Sequence, residues 1–469
     1  MKKRGIFKGV AGMLLLAMVL STVLPVFKTT ASAEAVWPEG VSLSDGDESA
    51  VVMDVATGTV LYSKNGDVVH YPASITKVMT ALLAVENGDL SSTVTYSKNA
   101  IYDVEAGSSS IARDVGEELT LEQVLYAVML ESCNSSAYAT AEHIAGTKDA
   151  FVDMMNERAK ELGCTNTHFN NPHGLPDENH TTTAHDMAII ACEAYRNPKF
   201  ATITGTKKYQ IPPTNKHSDI TYLNNHHSML NYYKTNEYLY EYCVGGKTGY
   251  TTVARSTLVT YAKKDKMTLC CVVMNANKPA HYVDTRRLFD YCFENFSVYD
   301  TTENKDLFDI SNEADTGLLS DRDGIISIGD GVVILPAGAE FTDSVRTVVP
   351  AEDPDNPDLI GKVVYTYGDK TVGSVDLLFT AEPVVEEELP FLNTSEDPEV
   401  KDSYVEVDYK KILTRVLIAV AAIALIILII SRFDKILLWK HRAFPTRKKT
   451  KGDLPTIKRR KGKRRRRRR

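Results

Sequence analysis

Two short, mainly apolar runs at residues 51–55 and 60–64, on either side of the polar break Ala56-Thr57-Gly58-Thr59, predict a β-hairpin. The period then lengthens to that of a helix. One helix is expected from Ser74 to about Asn87, after Pro72-Ala73, with Gly88 as its stop. A second opens at Thr120, where Thr120 and Gln123 stand at capping-box spacing and Leu121, Val124, Leu125, Val128 and Met129 form one apolar face. It delivers Ser132 at its C-terminal end. Helical patterning resumes over residues 136–144 and 151–162, and Gly163 ends it. Residues 244–249, 257–262 and 269–274 read as strands of one sheet, with a helix from about 282 to 293 covering a face of it. Helices between two groups of strands predict an α/β sandwich with an inserted all-helical region.

From about Val298 the pattern shortens. Residues 325–328, 331–335, 362–367 and 374–378 are β-like runs separated by Gly, Asp and Pro, which predicts a small β-sandwich over 298–381. Residues 382–411 begin rich in Glu, Asp and Pro and read as an extended acidic stalk. Two long apolar runs stand outside these regions. In residues 1–33, a basic start (Lys2, Lys3, Arg4, Lys8), an apolar stretch over 10–24 and Ala31-Ser32-Ala33 read as a signal peptide. The run 416–430, extended back to Ile412 across Arg415, nearly spans a hydrocarbon core of about 30 Å and predicts a transmembrane helix over 412–431. Arg415 would snorkel to the interface.

Charge sets the orientation. The chain carries −7, yet residues 440–469 hold 17 Lys or Arg and a single acid, Asp453, so the remainder is strongly acidic. Positive segments stay cytoplasmic, which places 432–469 inside and the main body, 34–297 with 298–381, outside the cell membrane. The terminal arginine run then reads as a headgroup anchor, and the export signal argues against nucleic acid as a partner. Seven cysteines lie in the exported part, an odd number that leaves at least one thiol free in a monomer. Their flanks are mostly apolar or small, so buried, inert thiols are expected. No Cys or His spacing suggests a metal, and no cofactor is implied.

Three short motifs carry the chemistry: Ser74-Ile75-Thr76-Lys77, Ser132-Cys133-Asn134 and Lys247-Thr248-Gly249. Each alone is weak. Together, in this order, they form the three-part set of penicillin-binding proteins and class A β-lactamases. Ser74 and Lys77, three apart on a helix, share a face, so a lysine of depressed pKa can take the proton that makes Ser74 a nucleophile. Ser132 would relay a proton to a leaving amine, and Asn134 would bind a substrate amide. Lys247 and Thr248 would hold a carboxylate, Gly249 would let a ligand backbone approach the strand edge, and the N–H groups of Ser74 and Tyr250 would make an oxyanion hole.

From about residue 50 to 296 the chain resembles the D-alanyl-D-alanine carboxypeptidases, the DacA-type low-molecular-mass penicillin-binding proteins. The likeness is carried by Met53-Asp54-Val55-Ala56-Thr57-Gly58, Tyr71-Pro72-Ala73-Ser74-Ile75-Thr76-Lys77-Val78-Met79-Thr80, Phe169-Asn170-Asn171-Pro172-His173-Gly174-Leu175, Thr183-Ala184-His185-Asp186-Met187-Ala188 and Lys247-Thr248-Gly249-Tyr250-Thr251. The resemblance implies peptidoglycan stem peptides ending in D-Ala-D-Ala as substrate, an acyl-enzyme on Ser74, and β-lactams as covalent inhibitors. It also suggests a basic residue after the last core strand, for which Lys278 is the nearest candidate. Two departures stand out: Cys133 inside the middle motif, and Cys243-Val244-Gly245-Gly246 before Lys247. His173, His185, His226 and His227 are taken as structural or surface residues. A D,D-endopeptidase or β-lactamase on the same scaffold, or a non-catalytic membrane-anchored sensor, are the alternatives. No Glu-x-x-x-Asn segment in the right region supports the β-lactamase.

Overall fold

A computed structural model of the chain describes residues 36–44, 46–232, 235–303, 325–351 and 356–380. The hairpin forms as β1 (Ser49–Asp54) and β2 (Val60–Lys64), followed by a 3-10 turn, Ala73–Thr76, and helix α1 (Lys77–Asn87). Ser74 therefore sits on a 3-10 turn and not in the first turn of the expected α-helix. Beyond it come β3 (Thr93–Thr95), α2 (Lys98–Tyr102), β4 (Glu118–Thr120), α3 (Leu121–Leu130), α4 (Asn134–Ala145) and α5 (Lys148–Glu161). Thr120 caps α3 in the expected capping box, with Thr120 Oγ1 accepting from Gln123 N and Gln123 Oε1 accepting from Thr120 N. Two helices without a prior expectation follow, α6 (Ala184–Arg196) and α7 (Pro198–Gly205), then the hairpin β5 (Lys208–Ile211) and β6 (Thr221–Asn224).

Three long strands complete the main sheet: β7 (Cys243–Thr251), β8 (Arg255–Lys264) and β9 (Met267–Ala276). Its order is β2-β1-β9-β8-β7, and each neighbouring pair within it is antiparallel. Both faces are buried, and the period of two along each strand decides which residue serves which core. Val51, Met53, Tyr261, Cys270, Val272 and Met274 join the helical region on one face. Ala50, Val52, Leu269, Cys271 and Val273 join Leu288, Phe289 and Cys292 of α8 (Ala280–Asn295) on the other. The result is three layers, helices on both sides of one sheet, as the α/β expectation requires. All seven cysteines are free and buried.

The β-rich part begins inside the helix-to-strand junction, with β10 (Phe296–Asp300), which pairs with β12 (Val332–Pro336). β11 (Ile325–Ile328), β13 (Val345–Pro350), β14 (Leu359–Tyr367) and β15 (Lys370–Thr380) form a four-stranded sheet in the order β11-β15-β14-β13. A third core, including Val333, Leu335, Phe341, Val363, Tyr365 and Val375, lies here, while Ile334 on the opposite face of β12 belongs to the core beneath α8. The strands of this part are thus two separate sheets, one of two strands and one of four. Among the described residues no helix is long and apolar enough to cross a membrane. The signal peptide at 1–33, the stalk at 382–411, the transmembrane helix at 412–431 and the tail at 432–469 all lie outside the described residues.

Candidate active site

The three motifs, far apart in sequence, converge where α1, α4 and β7 meet. Ala73 adopts φ +51°, a conformation that costs a non-glycine residue on the order of 1–3 kcal/mol, and so turns Ser74 out of the helix axis. The turn is clasped from two sides. A Cβ on Gly249 would lie 2.9 Å from Ser74 N and 2.3 Å from Thr257 Oγ1, while one on Gly174 would lie 1.9 Å from the Ala73 carbonyl oxygen. Only glycine permits either approach. From the sheet, Thr257 Oγ1 donates to Pro72 O at 2.8 Å.

Lys77 lies entirely buried beneath Ser74. Its Nζ is 2.7 Å from Asn134 Oδ1, 2.6 Å from His173 O and 3.2 Å from Ser74 Oγ. The first two partners only accept, so they take two N–H groups. The third position faces a hydroxyl, which donates once the amine is neutral and offers its lone pair. Neutrality is favoured: burial, and then the nearby Lys247 charge, hold the Lys77 ammonium well below its usual range. Lys247 is itself 2% exposed, donates to Thr248 O at 2.7 Å, and is brought down to about 7 by burial.

Ser132 stands just past α3 with φ +60°, and its buried Oγ has no hydrogen-bond partner among the described residues. The strained backbone presents this hydroxyl to the cleft, unengaged. Cys133 is fully buried, with Sγ 3.3 Å from Ser135 Oγ, so the unusual residue of the middle motif faces inward. Asn134 opens α4 and spends its oxygen on Lys77, which leaves its amide N–H groups for a ligand.

Ser74, Ser132, Thr248, Gly249 and Tyr250 line one cleft of about 530 Å³, with Lys77, Asn134 and Lys247 behind its wall. β7 is the edge strand of its sheet, so a ligand backbone can lie alongside it. Lys278 also lines the cleft, its Nζ 4.1 Å from the centre of the Tyr250 ring. Sequence reasoning missed the opposite wall, where Tyr282 stacks on Tyr238 at 5.1 Å and His281 packs on Tyr282 at 4.0 Å. It also took His226 as structural or surface, yet His226 lines the cleft and pairs with Glu131 at 2.8 Å. His227 is buried against Thr260, and His173 contributes its carbonyl to Lys77. Among the described residues no group of His, Cys, Asp and Glu could hold a metal ion.

A half-buried serine hydroxyl over a buried lysine, with a second hydroxyl and a cationic edge strand around one cleft, is the layout of a serine acyl-transfer enzyme. The comparisons narrow this class. A family model described as D-alanyl-D-alanine carboxypeptidase matches residues 42–278, half of the chain. D-alanyl-D-alanine carboxypeptidase DacF of Bacillus subtilis is 34% identical over 293 residues, 61% of this chain and 72% of that protein. DacB2 of Mycobacterium tuberculosis is 34% identical over 266 residues, 55% of this chain and 87% of that one. Among solved structures, penicillin-binding protein 5 of Haemophilus influenzae superposes with a TM-score of 0.55 at 26% identity, covering 74% of this chain and 98% of the other. That share exceeds what residues 42–278 supply, so the likeness runs on into the β-rich part. The chain belongs to the D-alanyl-D-alanine carboxypeptidase family, and is a serine-type carboxypeptidase.

Proposed function

We propose that Ser74 is the acyl-ester nucleophile that removes the terminal D-Ala from peptidoglycan stem peptides, with Lys77 as its base. The observation that carries this reading is the set of three Lys77 contacts, two to obligate acceptors and one to the Ser74 hydroxyl. Ser74 Oγ attacks the carbonyl carbon of the penultimate D-Ala as Lys77 takes its proton. The carbonyl oxygen is held by the N–H groups of Ser74 and Tyr250. The C–N bond then breaks, and Ser132 relays the proton from Lys77 to the departing amine. Water completes the cycle: its oxygen bonds to the acyl carbon and its proton returns the Ser74 hydroxyl.

Lys247 and Thr248 hold the free carboxylate of the substrate, while Asn134 binds the amide upstream. A β-lactam, whose strained amide occupies the same place, acylates Ser74. The residues 1–33, 412–431 and 432–469 support export and anchoring in the cell membrane by their charge and apolar runs, with the catalytic part outside.

The test is mass spectrometry of the full chain in detergent, given a peptide ending in D-Ala-D-Ala and, separately, penicillin. Release of one D-Ala and a penicilloyl adduct on Ser74, both lost in Ser74→Ala, are the expected results. An adduct elsewhere, or D-Ala release that survives Ser74→Ala, would remove Ser74 from this role.

A further inference from the structure

We propose that His180 is a positioning residue for acylation, a buried link that holds the Ser74 turn in place through Thr76. This rests on Ser74 being the nucleophile. Asn170 N donates to His180 Nδ1 at 2.9 Å, so that ring nitrogen is an acceptor and the imidazole is neutral with its proton on Nε2. His180 Nε2 lies 2.8 Å from Thr76 Oγ1. With that nitrogen protonated, the bond runs in one direction only, from imidazole to hydroxyl. The hydroxyl proton is then directed onward, and Thr76 Oγ1 donates to Ala73 O at 2.8 Å. The chain of bonds ends on the residue whose φ is +51° and which precedes the nucleophile.

A serine or threonine hydroxyl commonly bonds back to a carbonyl a turn earlier, and alone that bond would mean little. Three features give it weight here. The Ala73 carbonyl is also the group that Gly174 crowds, so the link and the glycine grip the same oxygen. His180 and Gly174 belong to one segment, residues 169–180, that also supplies His173 O to Lys77 and Pro172 O to Thr80 Oγ1 at 2.6 Å. Nucleophile and base are therefore registered against a single loop, and His180 is the point where that loop reaches the nucleophile's turn. Finally, His180 is 1% exposed and packs 5.7 Å from the Phe169 ring, so water cannot replace its bonds. Burial also brings its pKa down to about 3, which keeps the imidazole neutral over the working range.

The link acts on the distance between Ser74 Oγ and the acyl carbon, a quantity to which rate is steeply sensitive. Its removal lowers the rate constant of acylation and leaves the non-covalent affinity for the acylating agent unchanged. The experiment is stopped-flow acylation of the full chain in detergent by penicillin, which separates the dissociation constant of the first complex from the acylation step. His180→Asn keeps the acceptor for Asn170 N–H but is too short to reach Thr76, and His180→Gln keeps a donor near Thr76. Thr76→Val removes the hydroxyl at constant shape, and Thr76→Ser retains it.

His180→Asn and Thr76→Val are each expected to slow acylation by between about tenfold and a hundredfold, with the Gln and Ser variants recovering most of the loss. The double variant Thr76→Val/His180→Asn should be no slower than the worse single one, because both cut the same link. Equal acylation in Thr76→Val and the wild type, or fully additive losses, would overturn the proposal. Where His180→Asn does not fold, the Thr76→Val and Thr76→Ser pair decides alone. Wild-type chain that gives no adduct on Ser74 would instead sink the functional reading itself.

Discussion

Two buried lysines set the pH behaviour at the level of single residues. As the proposed base, Lys77 must be neutral to accept the serine proton, so kcat/KM should rise with pH as its depressed pKa is passed. Lys77→Met should cost between about a hundredfold and ten-thousandfold in acylation and abolish that rise, read from rates over pH 5–9. Lys247 gives a stability prediction of opposite sense to the usual ion pair. Its folded pKa of about 7 lies below the unfolded value of 10.5, so between these the unfolded chain binds more protons and stability increases with pH. Below about pH 7 the full cost of a buried charge is present. Lys247→Met should therefore unfold at a higher temperature than the wild type near pH 7 while losing substrate affinity, with the gap narrowing as pH rises. Gly249→Ala should lower acylation by about a hundredfold, since its methyl would displace Ser74 N or Thr257. Isothermal penicillin labelling of the variant against wild type measures this directly.

At the scale of elements, what could be read in advance follows from local physics. The capping box of Thr120 and Gln123 was legible because both partners lie within one turn, and Thr120→Ala should cost about 1 kcal/mol in denaturant unfolding with acylation unchanged. The five-stranded sheet was legible in part because β7, β8 and β9 are long and follow one another, with apolar runs in β8 and β9. Helix α6 was legible in principle, from its apolar face and its Thr183 cap, yet passed unread, while α7 is short and opens on Pro198, a residue well suited to the first turn of a helix. The 3-10 turn at Ala73–Thr76 was also not legible. Its shape is imposed by Gly174 and Gly249, one brought from a loop and one from a strand far along the chain. The motifs named residues that the fold brings to one cleft, for the same reason that they missed the aromatic wall. Short-range spacing is written in the sequence, whereas Tyr238 and Tyr282 meet only through the fold.

For the molecule as a whole, the β-rich part shares a core with the catalytic layers through Ile334 and Trp37. Thr59 Oγ1 also reaches Thr371 O at 3.2 Å. These contacts tie the β-rich part to the sheet of the catalytic region at its hairpin end. The proposed anchoring belongs to this scale too. Deleting residues 412–469 should move the protein from the membrane fraction to the soluble one with acylation intact, which fractionation and penicillin labelling together would check.

The seven unbridged, buried thiols carry one more consequence. They make the chain its own clock for breathing motions, because a small thiol-reactive probe modifies a cysteine only in molecules that have opened around it. Cys192 and Cys270 report on the layer between α6 and the sheet, Cys271 and Cys292 on the layer beneath α8, and Cys133 on the ground just behind the catalytic cleft. The order in which these five are tagged would rank the layers by how readily each comes apart, without a single engineered reporter.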